Sequence, residues 1–356
     1  MASHPYSSLP ERSFWRSAVA ETNPLEWRDI YRKRFNVSPS CRISSAGSCF
    51  AQHIGRRLRE TAFNYQDFEP APRGLPQPQR AEFGYELFSA RFGNIYTARQ
   101  LVQLLAESFG EYRPAETVWM RDGRFFDPFR PTIEPDGFGS IEEVTTLRRE
   151  QHLPAVRKMF LETDVFVFTF GLTEAWMSAS DGAVYPICPG VVAGEFDPAE
   201  HRFHNFSHSE ILADMVRFIE RLRELNSSIK FLFTVSPVPL TATASGEHVL
   251  AATTYSKSVL RAVAGDLCAG FDFADYFPSY ELIAAPAARG MFFEPNQRNV
   301  SIAGVDHVMR YFFAAHTPGS IAVAIDREPA PSAREALRKQ ELSVVCDEEK
   351  LDPVAS

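Results

Sequence analysis

Apolar and polar positions divide the chain into alternating strand and helix segments. Asp164-Val165-Phe166-Val167-Phe168-Thr169-Phe170 and Lys230-Phe231-Leu232-Phe233-Thr234-Val235 are almost continuously apolar, as strands buried on both faces are. Leu267 to Phe273 reads as a third strand. Helical spacing falls between and around them. Phe50, Ile54 and Leu58 stand at i, i+4 and i+8, one face of a helix. Thr97 is placed to cap a helix over Ala98 to Ser108, with Leu101, Leu104 and Leu105 as its apolar stripe. Ser140 with Glu143 forms a capping-box pattern before a helix reaching about Leu161. Ser209 starts a helix through Glu224, Val249 to Ala264 is helical, and Ile302, Val305, Val308, Met309 and Phe312 line a helix from about Ser301 to Ala315. Strands and helices joined by short connections predict an α/β three-layer sandwich with a mostly parallel, doubly wound sheet.

The remaining segments carry weaker patterns. Residues 1–40 read as an N-terminal arm, with Trp15, Trp27 and Tyr31 on partial helices packed on the body. Residues 66–82 hold four prolines and form a loop. Residues 112–138 are rich in proline and aromatic residues, and Asp122-Gly123 is a hairpin signal. This excursion is either a lid or a plain surface hairpin. Residues 177–206 read as a loop region. Residues 41–316 make the main domain. Residues 317–356 alternate prolines with charges and end acidic, and are expected to be a mobile tail.

Composition narrows the function classes. The chain has 356 residues, 45% of them hydrophobic and 23% charged, as in globular proteins with a large core. A net charge of -8 with no basic block argues against a nucleic-acid partner. No run approaches a membrane span, and Met1 to Arg12 lacks the apolar core of a signal peptide. Five cysteines (Cys41, Cys49, Cys188, Cys268, Cys346) are widely spaced and show no metal-like spacing. The expectation is a cytoplasmic protein with free thiols, no cofactor and no metal. The oligomeric state is left open.

The candidate chemistry centres on Ile43-Ser44-Ser45-Ala46-Gly47-Ser48-Cys49-Phe50-Ala51. Glycine, serine and cysteine turn an approach segment into a helix, placing Ser48 beside the first unpaired amides of that helix. Such a position suits a nucleophile with backbone donors nearby. Gly47-Ser48-Cys49-Phe50-Ala51 spells the motif of the GSCFA family, which resembles the SGNH (GDSL-like) hydrolases. Gly93-Asn94-Ile95-Tyr96-Thr97, Gly171-Leu172-Thr173-Glu174-Ala175-Trp176, Ser236-Pro237-Val238, Ser256-Lys257-Ser258 and Asp275-Tyr276-Phe277-Pro278-Ser279-Tyr280-Glu281 follow in the family's order, from about residue 35 to 315.

The resemblance implies an SGNH/flavodoxin-like sheet and a set of roles. Ser48 is the nucleophile. Its amide and that of Gly93, with the side chains of Asn94 and Thr173, serve the oxyanion. Glu174 stands at a strand's carboxyl edge, as a site residue or a charge at a helix start. The expected Asp-x-x-His base is missing: Asn296 takes the aspartate position and Asn299 the histidine position. Asparagine cannot exchange a proton near neutral pH. His307, His204 and Glu174 are the alternative bases. Cys49, next to Ser48, is read as a packing residue. His201 and His204 make a His-x-x-His pair on a loop without the usual acidic partners, so no metal site is assigned.

Two functions remain. One is a serine esterase or O-acyltransferase acting on a small-molecule or carbohydrate ester, including polysaccharide precursors. The other is a glycan-binding or scaffold protein on a hydrolase fold, with Asn296 and Asn299 contacting the ligand.

Overall fold

The computed structural model describes residues 4–317 and 344–352. Its central sheet has four parallel strands in the order β1 (Ile43–Gly47), β4 (Val165–Phe170), β8 (Lys230–Val235) and β9 (Ala274–Tyr276). Side chains alternate across a strand, and both faces are covered. Phe166, Phe168, Phe170, Phe231 and Phe233 face one layer, against α3 (Ala98–Ser108), α5 (Leu153–Glu162), α6 (His208–Leu225) and α7 (Val249–Gly270). Ile43, Val165, Val167 and Leu232 face the other, against α1 (Cys49–Arg59), α8 (Ser279–Ala284) and α9 (Ile302–His316). The result is the expected α/β architecture with helices on both faces of a parallel sheet.

Local signals hold in several places. Thr97 and Gln100 close a capping box on α3. Ser140 accepts from the Glu143 amide at the start of α4 (Ile141–Leu147), which continues through one π turn into α5. β2 (Trp119–Arg121) and β3 (Arg124–Phe126) form the hairpin, with Asp122 and Gly123 both at positive φ, the two-residue turn that matches strand twist. A short α2 (Gln77–Arg80) interrupts the proline-rich loop.

Three expectations are corrected. The third strand does not span Leu267 to Phe273. α7 runs on to Gly270, because Leu267 and Cys268 continue its buried face, and β9 begins at Ala274. The cap of α6 is Ser207, not Ser209. Residues 177–206 are not all loop. β5 (Glu174–Ser178), β6 (Val184–Tyr185) and β7 (His201–Asn205) pair antiparallel as a second sheet. These strands are short, and β7 holds a single apolar residue, Phe203, so they carry no period that could reveal them.

Within the arm, Trp27 and Val37 are buried in the second core layer, while Trp15 is exposed. The tail also departs from expectation. Residues 344–352 pack on the body, and Cys346, Asp347 and Glu348 are buried. The rest of the tail lies outside the described residues. No described helix is long and apolar enough to cross a membrane.

Candidate functional site

The site is built where β1 and β4 end side by side. Gly47 has φ +141, and an added Cβ would fall 2.8 Å from the Thr169 Cβ. Only glycine permits this approach of β1 to β4. Ser48 follows as the N-cap of α1, yet its side chain makes no capping bond. An N-cap serine usually accepts from the first-turn amides, worth about 1 kcal/mol. Here Oγ is buried without a hydrogen-bond partner among the described residues. The Ser48 amide is engaged, donating to the Thr169 carbonyl at 3.3 Å. Gly171, just past β4, presses against Ser48: an added Cβ would lie 2.8 Å from the Ser48 Cβ. The hydroxyls of Thr169 and Thr173 are likewise buried and unpartnered among the described residues. The Thr173 amide donates to Ser256 Oγ at 3.1 Å.

Two cations enter from other elements. Lys257, on α7, is 1% exposed and donates from Nζ to the Gly171 carbonyl at 2.7 Å. Burial pushes its pKa down to about 8, while the Glu348 charge pulls it the other way. Arg298 reaches Glu348 and Glu349, each at 3.3 Å, and the Cys346 sulfur at 3.4 Å. The neighbouring Cys49 thiol, with Arg298, holds the Cys346 thiol down at about 6.

The tail segment crosses this centre. Gln52 donates to the Val345 carbonyl at 2.7 Å and accepts from the Val345 amide at 3.0 Å. Asn94 donates to the same carbonyl at 3.0 Å and to the Asp347 carboxylate at 2.9 Å. Thr132 donates to the other Asp347 oxygen at 2.6 Å. Burial raises the Asp347 pKa. Cavities flank the segment. One of about 330 Å³ is lined by Cys49, His53, Arg298, Asn299, Val344 and Cys346 among others. Another of about 260 Å³ includes Glu174, Trp176, Thr243, Glu348 and Leu351. Ser48 itself lines neither.

The sequence candidates separate into those at this centre and those elsewhere. Asn94 and Thr173 are at it. Gly93 holds the left-handed conformation, φ +69, that turns the chain into Asn94. Glu174 begins β5 and accepts from Thr243 Oγ1 at 2.7 Å; burial raises its pKa, and it borders the second cavity. Asn299 lines the first cavity. Asn296 is exposed and caps a turn, accepting from the amides of Arg298 and Asn299.

The two histidines offered as bases each have a partner elsewhere, and the Nε2 of His307 is buried without one among the described residues. His204, on β7, pairs with Glu210 at 2.8 Å and meets Phe206 edge-on. His307, on α9, stacks on Phe292 and bonds Arg310 at 2.8 Å. Burial, with Arg310 adding, lowers its pKa to about 4.

Four contributors escaped sequence reasoning: Gln52, His53, Lys257 and Arg298. His53 lines the first cavity, and burial lowers its pKa to about 3. Lys257 did leave a signal. It stands in register with Leu260, Ala264 and Leu267 on the apolar face of α7, where an unpaired lysine is costly. Among the described residues no group of His, Cys, Asp or Glu could hold a metal ion.

Among curated proteins, none matches the chain. The motifs that converge here fall within residues 42–312, the stretch matched by the model of the GSCFA family, and the chain belongs to that family.

Proposed function

We propose that the chain is a serine esterase or O-acyltransferase in which Ser48 is the nucleophile and Lys257 its base. The observation that carries this reading is the Ser48 hydroxyl. It forgoes its capping role and lies buried and unpartnered against Gly171, whose carbonyl receives Lys257 Nζ. The motif likeness to SGNH-type hydrolases supports the same reaction class. A desolvated lysine near neutrality is a competent general base.

In the reaction, neutral Lys257 takes the Ser48 proton as Oγ bonds to the acyl carbonyl carbon. The carbonyl electron pair moves onto oxygen. Asn94 and Gln52 supply two side-chain donors that already converge on one carbonyl oxygen, and the Thr173 hydroxyl is a third, unpartnered donor. Donors fixed in a dry site stabilise such an oxyanion strongly. Collapse breaks the ester C–O bond, and the leaving alkoxide takes the proton from Lys257. Water, or the hydroxyl of an acceptor, then attacks the acyl-serine with Lys257 again as base. The substrates are O-acyl esters, with carbohydrate esters the class the family likeness favours.

The test is labelling by a fluorophosphonate. Labelling of the native chain, lost in both Ser48→Ala and Lys257→Met, is expected. A folded native chain that does not label would overturn the reading. It would favour a ligand-binding protein instead, a role supported by the asparagines at positions 296 and 299.

A further inference from the structure

Taking the surroundings of Ser48 as the reaction centre, we propose that this site binds an acidic peptide and that residues 345–349 of the chain, which turn into a 3-10 helix at Asp347, are its resident copy. The tail lies across the site as a ligand would.

Three observations carry this. First, Gln52 reads both polar groups of one peptide unit, the amide and the carbonyl of Val345, and Asn94 adds a second donor to that carbonyl. Paired main-chain recognition of this kind holds a peptide at Val345 whatever the side chain there. Second, the two cations come from the body and their carboxyl partners from the tail. The body contributes Arg298 and buried Lys257. The carboxyl groups bonded to Arg298, those of Glu348 and Glu349, both come from the tail; burial pushes Glu348 up to about 8, while Arg298 and Lys257 pull it down towards the charged form. Arg298 keeps its charge whatever happens to Lys257, so a site that releases the tail favours another anion beside Arg298. Third, the segment shares both cavities. Val344, Cys346 and Glu349 line the larger, and Glu348 and Leu351 the smaller. Ser48 remains covered meanwhile.

An exogenous ligand of this class therefore competes with the tail. A tethered occupant is present at high effective concentration, so it excludes free ligand until it is weakened. The site is self-blocked, and acidic peptide is the chemistry that displaces the block.

The experiment uses full-length chain in a Ser48→Ala background, which removes turnover from the readout. A fluorescein-labelled peptide of residues 344–352, with Cys346→Ser to prevent disulfides, is titrated by anisotropy. Against the native tail, weak binding is expected. Against a chain with Asp347→Lys and Glu348→Lys, binding tightens by at least about tenfold, and adding Arg298→Gln abolishes the gain. Should the double charge reversal fail to fold by circular dichroism, Val345→Pro, which deletes the amide that Gln52 accepts, replaces it. Equal affinity with and without the native tail, or no binding to either chain, overturns the proposal. Neither result depends on whether Ser48 reacts. Failure of fluorophosphonate labelling and failure of peptide binding are thus separate outcomes.

Discussion

Asn94 donates its side-chain amide to the main-chain carbonyl of Val345, 251 positions further along the chain. The same nitrogen reaches the buried Asp347 carboxylate at 2.9 Å. One side chain expected to serve an oxyanion thus also fastens the tail. Replacing it by alanine leaves a buried carbonyl and a buried carboxylate short of a donor, at about 1–3 kcal/mol. Asn94→Ala is expected to lower the unfolding free energy by that amount, seen as a lower urea midpoint with an unchanged slope. An unchanged midpoint would mean that the tail adds nothing to stability.

Gly171→Ala tests the packing around the nucleophile. The new Cβ would stand 2.8 Å from the Ser48 Cβ and 3.0 Å from the Tyr96 carbonyl. Overpacking of this kind costs about 1–3 kcal/mol. The expected outcome is a folded chain that has lost most fluorophosphonate labelling at Ser48. Labelling at the native rate would show that Ser48 tolerates displacement and is not held for attack.

The base gives labelling a pH signature. Lysine accepts a proton only as the free amine, and burial pushes the Lys257 pKa down to about 8. Labelling of Ser48 is therefore expected to rise as pH increases through about 8 and then level off, with Lys257→Met low throughout. A profile rising instead near pH 6 would point to a histidine and remove Lys257 from the role.

Cys49 and Cys346 provide a covalent report on the tail. Both line the same cavity, and the lowered pKa of Cys346 favours the thiolate that starts disulfide formation. Diamide should oxidise the pair to a disulfide, taking two electrons and two protons from the thiols and becoming the hydrazine. Peptide mapping without reductant is expected to find residues 49 and 346 linked. Modification of half-buried Cys41 and Cys188 alone would place the tail elsewhere.

Away from the site, Asp127 anchors the hairpin segment through Arg130 Nε at 2.7 Å and Arg148 Nη1 at 2.9 Å. Burial alone would raise its pKa, but Arg148 and Arg130 overcome this and hold it below the usual carboxylate range. A depressed folded-state pKa stabilises the fold above the unfolded value, near 4, and that contribution is lost as pH falls below it. Asp127→Asn is expected to cost about 3–5 kcal/mol at pH 7, since two buried guanidinium groups lose a charge partner. The gap between variant and native chain should narrow below about pH 4. A gap independent of pH would assign the loss to packing rather than charge.

The sequence by itself determined the strands β4 and β8, because a strand covered on both faces is written as an uninterrupted apolar run. It also determined the Ser48 turn, the Thr97 and Ser140 caps and the Asp122-Gly123 hairpin, because caps and turns are chemistry between near neighbours. The placement of Gly93, Asn94 and Thr173 was legible through motif likeness. Tertiary structure alone decided the antiparallel sheet of β5, β6 and β7, whose strands are too short to show a period. It decided where α7 gives way to β9, because the apolar face of the helix runs into the residues that read as strand. It gave His204 and His307 the partners Glu210 and Arg310, and set Lys257 on the Gly171 carbonyl beside Ser48. Above all it decided the tail. An acidic stretch with no periodicity reads as unstructured until the groups that hold it, Gln52, Asn94 and Arg298, are folded into one place, and no local pattern encodes a partnership across hundreds of residues.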